Sequence, residues 1–104
     1  MGEQPHLFLI DITYTADLET IEANLKDHRD YLTQGYKQGF LLASGPKTPR
    51  IGGVIIGSFA SLQQAHTFAN NDPFFMRNLA VHTITEFDPV LHSASLLSFF
   101  QQNN

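Results

Sequence analysis

Two hydrophobic periods succeed one another along this chain, and their order restricts the folds open to it. Leu7–Tyr14 alternates, with Phe8, Ile10, Ile12 and Tyr14 on one side and Leu7, Leu9, Asp11 and Thr13 on the other. A period of two is that of a strand, and the uniformly apolar set is the one expected to face a core. From Asp17 to about Gln38 the period lengthens, and Leu18, Ile21, Leu25, His28 and Leu32 recur at helical steps. Asp17 is a suitable N-cap, Glu19 and Glu22 favour the start of a helix, and Gly39 is the expected stop. Phe40–Ser44 then reads as a short strand closed by Gly45-Pro46, Lys47–Gly53 as a Gly/Pro loop, and Val54–Phe59 as a strand, together a hairpin. Ser61–Asn70 reads as a second helix, with Ser61 and Gln64 in capping-box spacing and Leu62, Ala65, Phe68 and Ala69 as its buried face. Asn71-Asp72-Pro73 breaks that helix, because the residue before proline is pushed out of the helical region. Asp72 is placed to cap, and Pro73 to begin, a short new turn. Val81–Phe87 is the last expected strand, ended by Asp88-Pro89, and Leu91–Phe100 is an apolar segment whose form the pattern leaves open.

The order strand, helix, strand, strand, helix, strand is the ferredoxin-like arrangement, an α+β fold. It predicts one four-stranded antiparallel sheet with two helices on one face. At 104 residues the chain is expected to be a single domain, 1–104, with a core of about 7–89 and a C-terminal extension, 90–104. The second face of such a sheet is bare, and nine Phe within a 42% hydrophobic composition exceed what a monomer should expose. A homodimer with sheets face to face would cover it.

Composition removes several functions. A formal charge of -4 with only six Lys plus Arg does not supply the basic face that nucleic acid requires. The absence of Cys excludes disulfides, Cys-ligated zinc, iron–sulfur clusters and thiol nucleophiles. Met1–His6 has neither a basic nor an apolar leader segment, and no apolar run approaches the roughly 20 residues of a membrane helix. A cytoplasmic protein without membrane or nucleic-acid partners is expected.

Few residues remain to carry chemistry. His28-Arg29-Asp30 has the order of a kinase catalytic loop, but the chain lacks the Gly-rich loop, the later Asn and the length that such an enzyme needs. His28 reads either as a histidine at the core edge with its ring nitrogens satisfied or as a general acid/base. Asp72 reads as a helix cap that uses one carboxylate oxygen and leaves the other free to orient an imidazole. His66 is expected to be half exposed, and His6, His82 and His92 share no spacing with it, so no metal-ligand set is expected. Ser44 sits in a turn without a nucleophile elbow, and Gly52-Gly53 permits a tight backbone path.

Taken in order, His28-Arg29-Asp30-Tyr31-Leu32, Gly39, Ser44-Gly45-Pro46, Pro49-Arg50, Gly52-Gly53, Asn71-Asp72-Pro73-Phe74, Ile84 and Glu86-Phe87 resemble the YciI family (YCII-related domain) from about Leu7 to Pro89. The resemblance implies a dimeric α+β barrel and a pocket with a His–Asp pair, here His28 and Asp72. It implies that Ser44, Gly45 and Pro46, with Phe74, line the substrate pocket, and it implies no cofactor. Relatives include muconolactone isomerase-like and chloromuconolactone dehalogenase-like proteins, and a few members eliminate HCl. Two functions follow as expectations. One is a lyase, isomerase or dehydrochlorinase moving a proton on a small organic acid or cyclic ketone. The other is a dimer that binds a small metabolite without turning it over.

Overall fold

The computed structural model describes residues 6–102. The expectations for Met1–Pro5 and for Asn103-Asn104 lie outside the described residues.

The elements run β1 (Leu7–Tyr14), α1 (Leu18–Ala23), α2 (Leu25–Lys37), β2 (Leu41–Pro46), β3 (Gly52–Gly57), α3 (Leu62–Asn70), α4 (Pro73–Met76), β4 (Ala80–Phe87) and α5 (Ser95–Gln102). The strands form one antiparallel sheet in the order β2-β3-β1-β4, which is the ferredoxin-like α+β topology expected. In β1 the apolar set of the alternation is the buried one. Phe8, Ile10 and Ile12 join Ile55 of β3, Ile21, Leu32, Phe68 and Phe74 in a single core beneath α1–α4. Phe8, Ile10, Ile21, Ile55 and Phe74 are sealed from solvent. Each such side chain contributes about 1.5–3 kcal/mol through burial.

The long first helix is in fact two. Asn24 (φ -109°, ψ 4°) interrupts it. The Asn24 side chain donates to the Thr20 carbonyl at 2.9 Å and accepts from Arg77 at 2.7 Å. An Asn that finds such local partners competes with the helical ladder. Helix α2 restarts there, ends before Gly39 (φ 86°) and keeps His28 and Leu32 on its buried side. Leu18 and Leu62 fall at helix starts and are exposed, contrary to expectation. In the hairpin, β2 carries an irregularity between Leu41 and Ala43, and β3 begins at Gly52 rather than Val54. A Cβ on Gly52 would lie 1.8 Å from the Ile12 carbonyl oxygen, so only glycine lets β3 lie against β1 at this point. Phe59 leaves the strand and packs edge-on to Phe8 within the core.

The largest departure concerns the second sheet face. The apolar segment after β4 folds into α5, and Phe99 and Phe100 bury against Leu7, with Ile56 and Leu96 packed alongside. The chain therefore covers one end of that face itself, and the surplus of Phe is partly accounted for within one protomer. Val81 and Phe87, which share that face, stay substantially exposed. Among the described residues no helix is long and apolar enough to cross a membrane.

Candidate active site

The central contact joins residues 44 positions apart. His28 Nδ1 lies 2.8 Å from Asp72 Oδ1, and both side chains are buried, at 11% and 5% exposure. The short turn α4 places the carboxylate. Asp72 is its N-cap, and Oδ1 accepts the Phe74 backbone N–H at 3.0 Å. The cap and the pair therefore use the same oxygen, where separate oxygens were expected. Because Oδ1 is an acceptor toward Phe74, it offers a lone pair to Nδ1 as well. Nδ1–H is then the donor, and in the neutral tautomer that makes this bond Nε2 is the nitrogen without a proton. The ring also lies flat on Phe74, with centroids 4.0 Å apart and planes inclined by 4°. Position, tilt and tautomer of His28 are all determined by the segment Asp72–Phe74.

Burial around this pair is felt by a third group. Tyr31 donates to the Phe68 carbonyl at 2.7 Å, and its hydroxyl is pushed up to about 12, first by burial and then by the Asp72 charge. Tyr31 is thus a structural donor that stays protonated.

His28 lines a cleft of about 500 Å³ between α1, α2 and the hairpin. Ser44, Gly45, Pro46 and Phe74 line the same cleft, so the structure gathers five of the six singled-out residues on one wall system, with Asp72 directly behind His28. Ser44 is already engaged, its hydroxyl 2.8 Å from that of Tyr36. The cleft also has members that sequence reasoning did not place in a site: Ile12, Tyr14, Glu22, Leu25, Arg29 and Arg50. Tyr14 and Ile12 were read only as core-facing strand residues. Arg50 was quoted only within a motif, and the one available signal was an arginine between Pro49 and a Gly pair. The cleft has an apolar floor, two cations and one anion at its rim, and the His28 imidazole in its lining. That combination suits a small organic ligand with a polar or charged group.

Among the described residues no three His, Asp or Glu side chains converge as ligands. Yet His66 and His82, which share no sequence spacing, have ring centroids 6.3 Å apart, and His82 packs on Phe75 at 4.7 Å.

Residues 6–88 match the model of the YCII-related domain family. No curated protein matches the sequence. Among solved structures, the chain is similar to the 5-chloro-2-hydroxyhydroquinone dehydrochlorinase TftG from Burkholderia phenoliruptrix AC1100, in complex with 2,5-dihydroxybenzoquinone. The two are 22% identical, with a TM-score of 0.69 over 79% of this chain and 93% of that one. SnoaB, a cofactor-independent oxygenase from Streptomyces nogalater, is 11% identical over 88% of this chain and 98% of that one, with a TM-score of 0.49. The similarity to the dehydrochlorinase is one of fold.

Proposed function

Because the chain belongs to the YCII-related domain family, we propose that it is an enzyme in which His28 moves a proton on a small organic acid or cyclic ketone. The reaction class is a lyase, isomerase or dehydrochlorinase. The observation that carries this reading is the 2.8 Å bond from His28 Nδ1 to a carboxylate oxygen that the Phe74 N–H also holds in place. A base works when its lone pair is aimed at the reacting proton and its cationic form is stabilised once the proton arrives. Asp72 does both for His28. In an elimination, Nε2 takes a proton from the substrate O–H or C–H, the electron pair forms the new double bond, and chloride leaves with its own pair. In an isomerisation, Nε2 returns the proton to another carbon. A fold-neighbour that removes chloride from a hydroxylated ring, seen holding a dihydroxyquinone, supports a ring-sized substrate here. Ser44, Gly45 and Pro46 would bound it on the hairpin side and Phe74 beneath. No cofactor is required for such a transfer.

We take the working unit to be a homodimer formed through the sheet face that α5 leaves open, which includes Val81 and Phe87. Sedimentation at micromolar concentration tests that premise, and a stable monomer would contradict it. The protein is expected in the cytoplasm.

His28→Gln is expected to lower turnover of any substrate found by about 10²–10⁴-fold, the usual share of a general acid/base, with near-native melting behaviour. Turnover within a few-fold of wild type would end the assignment. One observation favours a second reading, a metabolite-binding dimer. Asp72 caps α4, His28 stacks on Phe74 and Ser44 bonds Tyr36, so each candidate has a structural role. A ligand that raises the melting temperature and is recovered chemically unchanged would favour that alternative.

A further inference from the structure

Two of the three arginines in this acidic chain, Arg29 and Arg50, stand at the one cleft that His28 faces. Arg29 is exposed, whereas Arg50 is built in. Its loop is closed by the Lys47 N–H on the Gly52 carbonyl at 2.8 Å and is tied to β1 by the Tyr14 N–H on the Ile51 carbonyl at 2.9 Å. Gly52, which can carry no Cβ beside Ile12, lets the loop lie that close. The guanidinium has five N–H donors. Its Nη1 lies 3.2 Å from Glu22, the Tyr14 hydroxyl is a second hydrogen-bonding neighbour of the guanidinium, and among the described residues Nε is buried without an acceptor. A buried donor left unpaired is costly and rare. Glu22 is more than half exposed and free to swing toward solvent, so its hold on Arg50 is weak.

We propose that Arg50 is the specificity-determining residue of this cleft, anchoring an anionic oxygen of the substrate through its Nε/Nη edge while Glu22 holds that edge in the empty site. The proposal rests on the reading of the cleft as a substrate pocket. It narrows the substrate class from acids or neutral ketones to molecules that carry a carboxylate or an ionised enol or phenol. A carboxylate against the guanidinium edge makes two parallel charge-assisted bonds, supplies the acceptor that Nε lacks, and orients the rest of the molecule toward His28. Arg50 would position and select, and His28 would react.

Benzoate and benzamide, alike in shape and different in charge, serve as probes, with the His28 imidazole NMR signals reporting occupancy of the cleft. Wild type is expected to bind benzoate at least about tenfold more tightly than benzamide, the worth of a charge-assisted bond. Arg50→Gln should bring the ratio to within about twofold, and Arg50→Lys, which keeps the charge without the fork, should retain part of it. Glu22→Gln should tighten benzoate a few-fold by removing the competing anion. Equal affinities in wild type, or a folded Arg50→Gln variant that keeps the full ratio, would overturn the anchor. His28→Gln, followed through the ring signals of Tyr14, which lines the same cleft, should leave the ratio intact. A ratio that depends on Arg50 in a protein that transfers no proton to or from a bound acid would leave the anchor standing and remove the proton-transfer reading. Proton transfer without a charge preference would do the reverse.

Discussion

His28 and His82 each rest on one phenylalanine of the same short turn, and they differ in nearly everything else. His28 stacks flat on Phe74 at 4.0 Å, donates Nδ1–H to Asp72 and faces a cleft of about 500 Å³. His82 meets Phe75 at 51°, has His66 as its neighbour, and borders a gap of only about 10 Å³ beside Asp72. Burial, first, and the nearby His66, second, push the His82 imidazole below its ordinary range. A carboxylate partner and room for a ligand separate the two. Asp72 is hydrogen-bonded to His28 and reaches His82 only through space, where burial and His66 outweigh it. Phe74 and Phe75 differ by one position along the turn, so the contrast arises from which side of Asp72 each ring occupies.

The largest expected effect breaks the His28 side of this contrast. Asp72→Ala removes the cap of α4 and leaves the buried Nδ1–H without an acceptor. Caps contribute about 1 kcal/mol and an orphaned buried donor costs about 1–3 kcal/mol, so a loss of about 2–4 kcal/mol is expected. His82→Ala, on the other side, should cost about 1 kcal/mol, an ordinary value for a substitution. Urea midpoints of the two variants check this. Equal losses would mean that Asp72 does no more for His28 than its surroundings do for His82.

How far this contrast could be read from sequence depends on the range of the forces involved. The strand β1, the caps at Asp17, Ser61 and Asp72, and the order of elements are local matters of period and turn chemistry. All of them were legible. The break at Asn24 was not, because its partner Arg77 lies 53 residues away. Helix α5 was not, because its amphipathic face has meaning only against Leu7 and Ile56. The His28–Asp72 pairing was suggested by the topology and by the family resemblance. Its sharing of Oδ1 with the Phe74 N–H was not, since that depends on the few ångströms by which α2 and α4 approach. Arg50 was invisible for the same reason, because a loop side chain acquires a direction only when both ends of the loop are anchored. The His66–His82 encounter joins a helix to a strand and leaves no periodic trace.

A smaller effect sharpens the role of stacking. Phe74→Leu keeps the backbone N–H that holds Asp72 but removes the flat support under His28. A cavity of a few atoms and the loss of an aromatic contact suggest a cost of about 1–2 kcal/mol. Turnover should fall further than stability alone explains, because the imidazole gains freedom to tilt within the cleft. Phe75→Leu, beneath His82, is expected to leave turnover within about twofold, as surface changes away from a site commonly do. If both variants kept full turnover, the parallel ring contact would be packing alone, and the orientation of His28 would rest on Asp72 by itself.

The smallest effect is one of pH, and it belongs to His82. The groups facing it are His66 from α3, whose charge lowers its proton affinity, and Asp72 ahead of α4, whose weaker opposing influence raises it. In the unfolded chain a histidine titrates near about 6.5. In the folded chain His82 takes up its proton only at lower pH, so between those two values the unfolded state binds more protons. Stability must then fall as pH drops below about 6.5, and the contribution is fully present above it. His82→Gln should flatten that part of the profile. His66→Gln, by removing the neighbour whose charge lowers His82, should bring the folded-state titration closer to the unfolded one, leaving the onset in place and shrinking the loss from its low-pH end. Denaturant midpoints at several pH values between 7.5 and 5 measure both. An unaltered slope in His82→Gln would show that this ring does not carry the pH dependence, leaving the hydrogen bond to Asp72 and the cleft as what distinguishes His28.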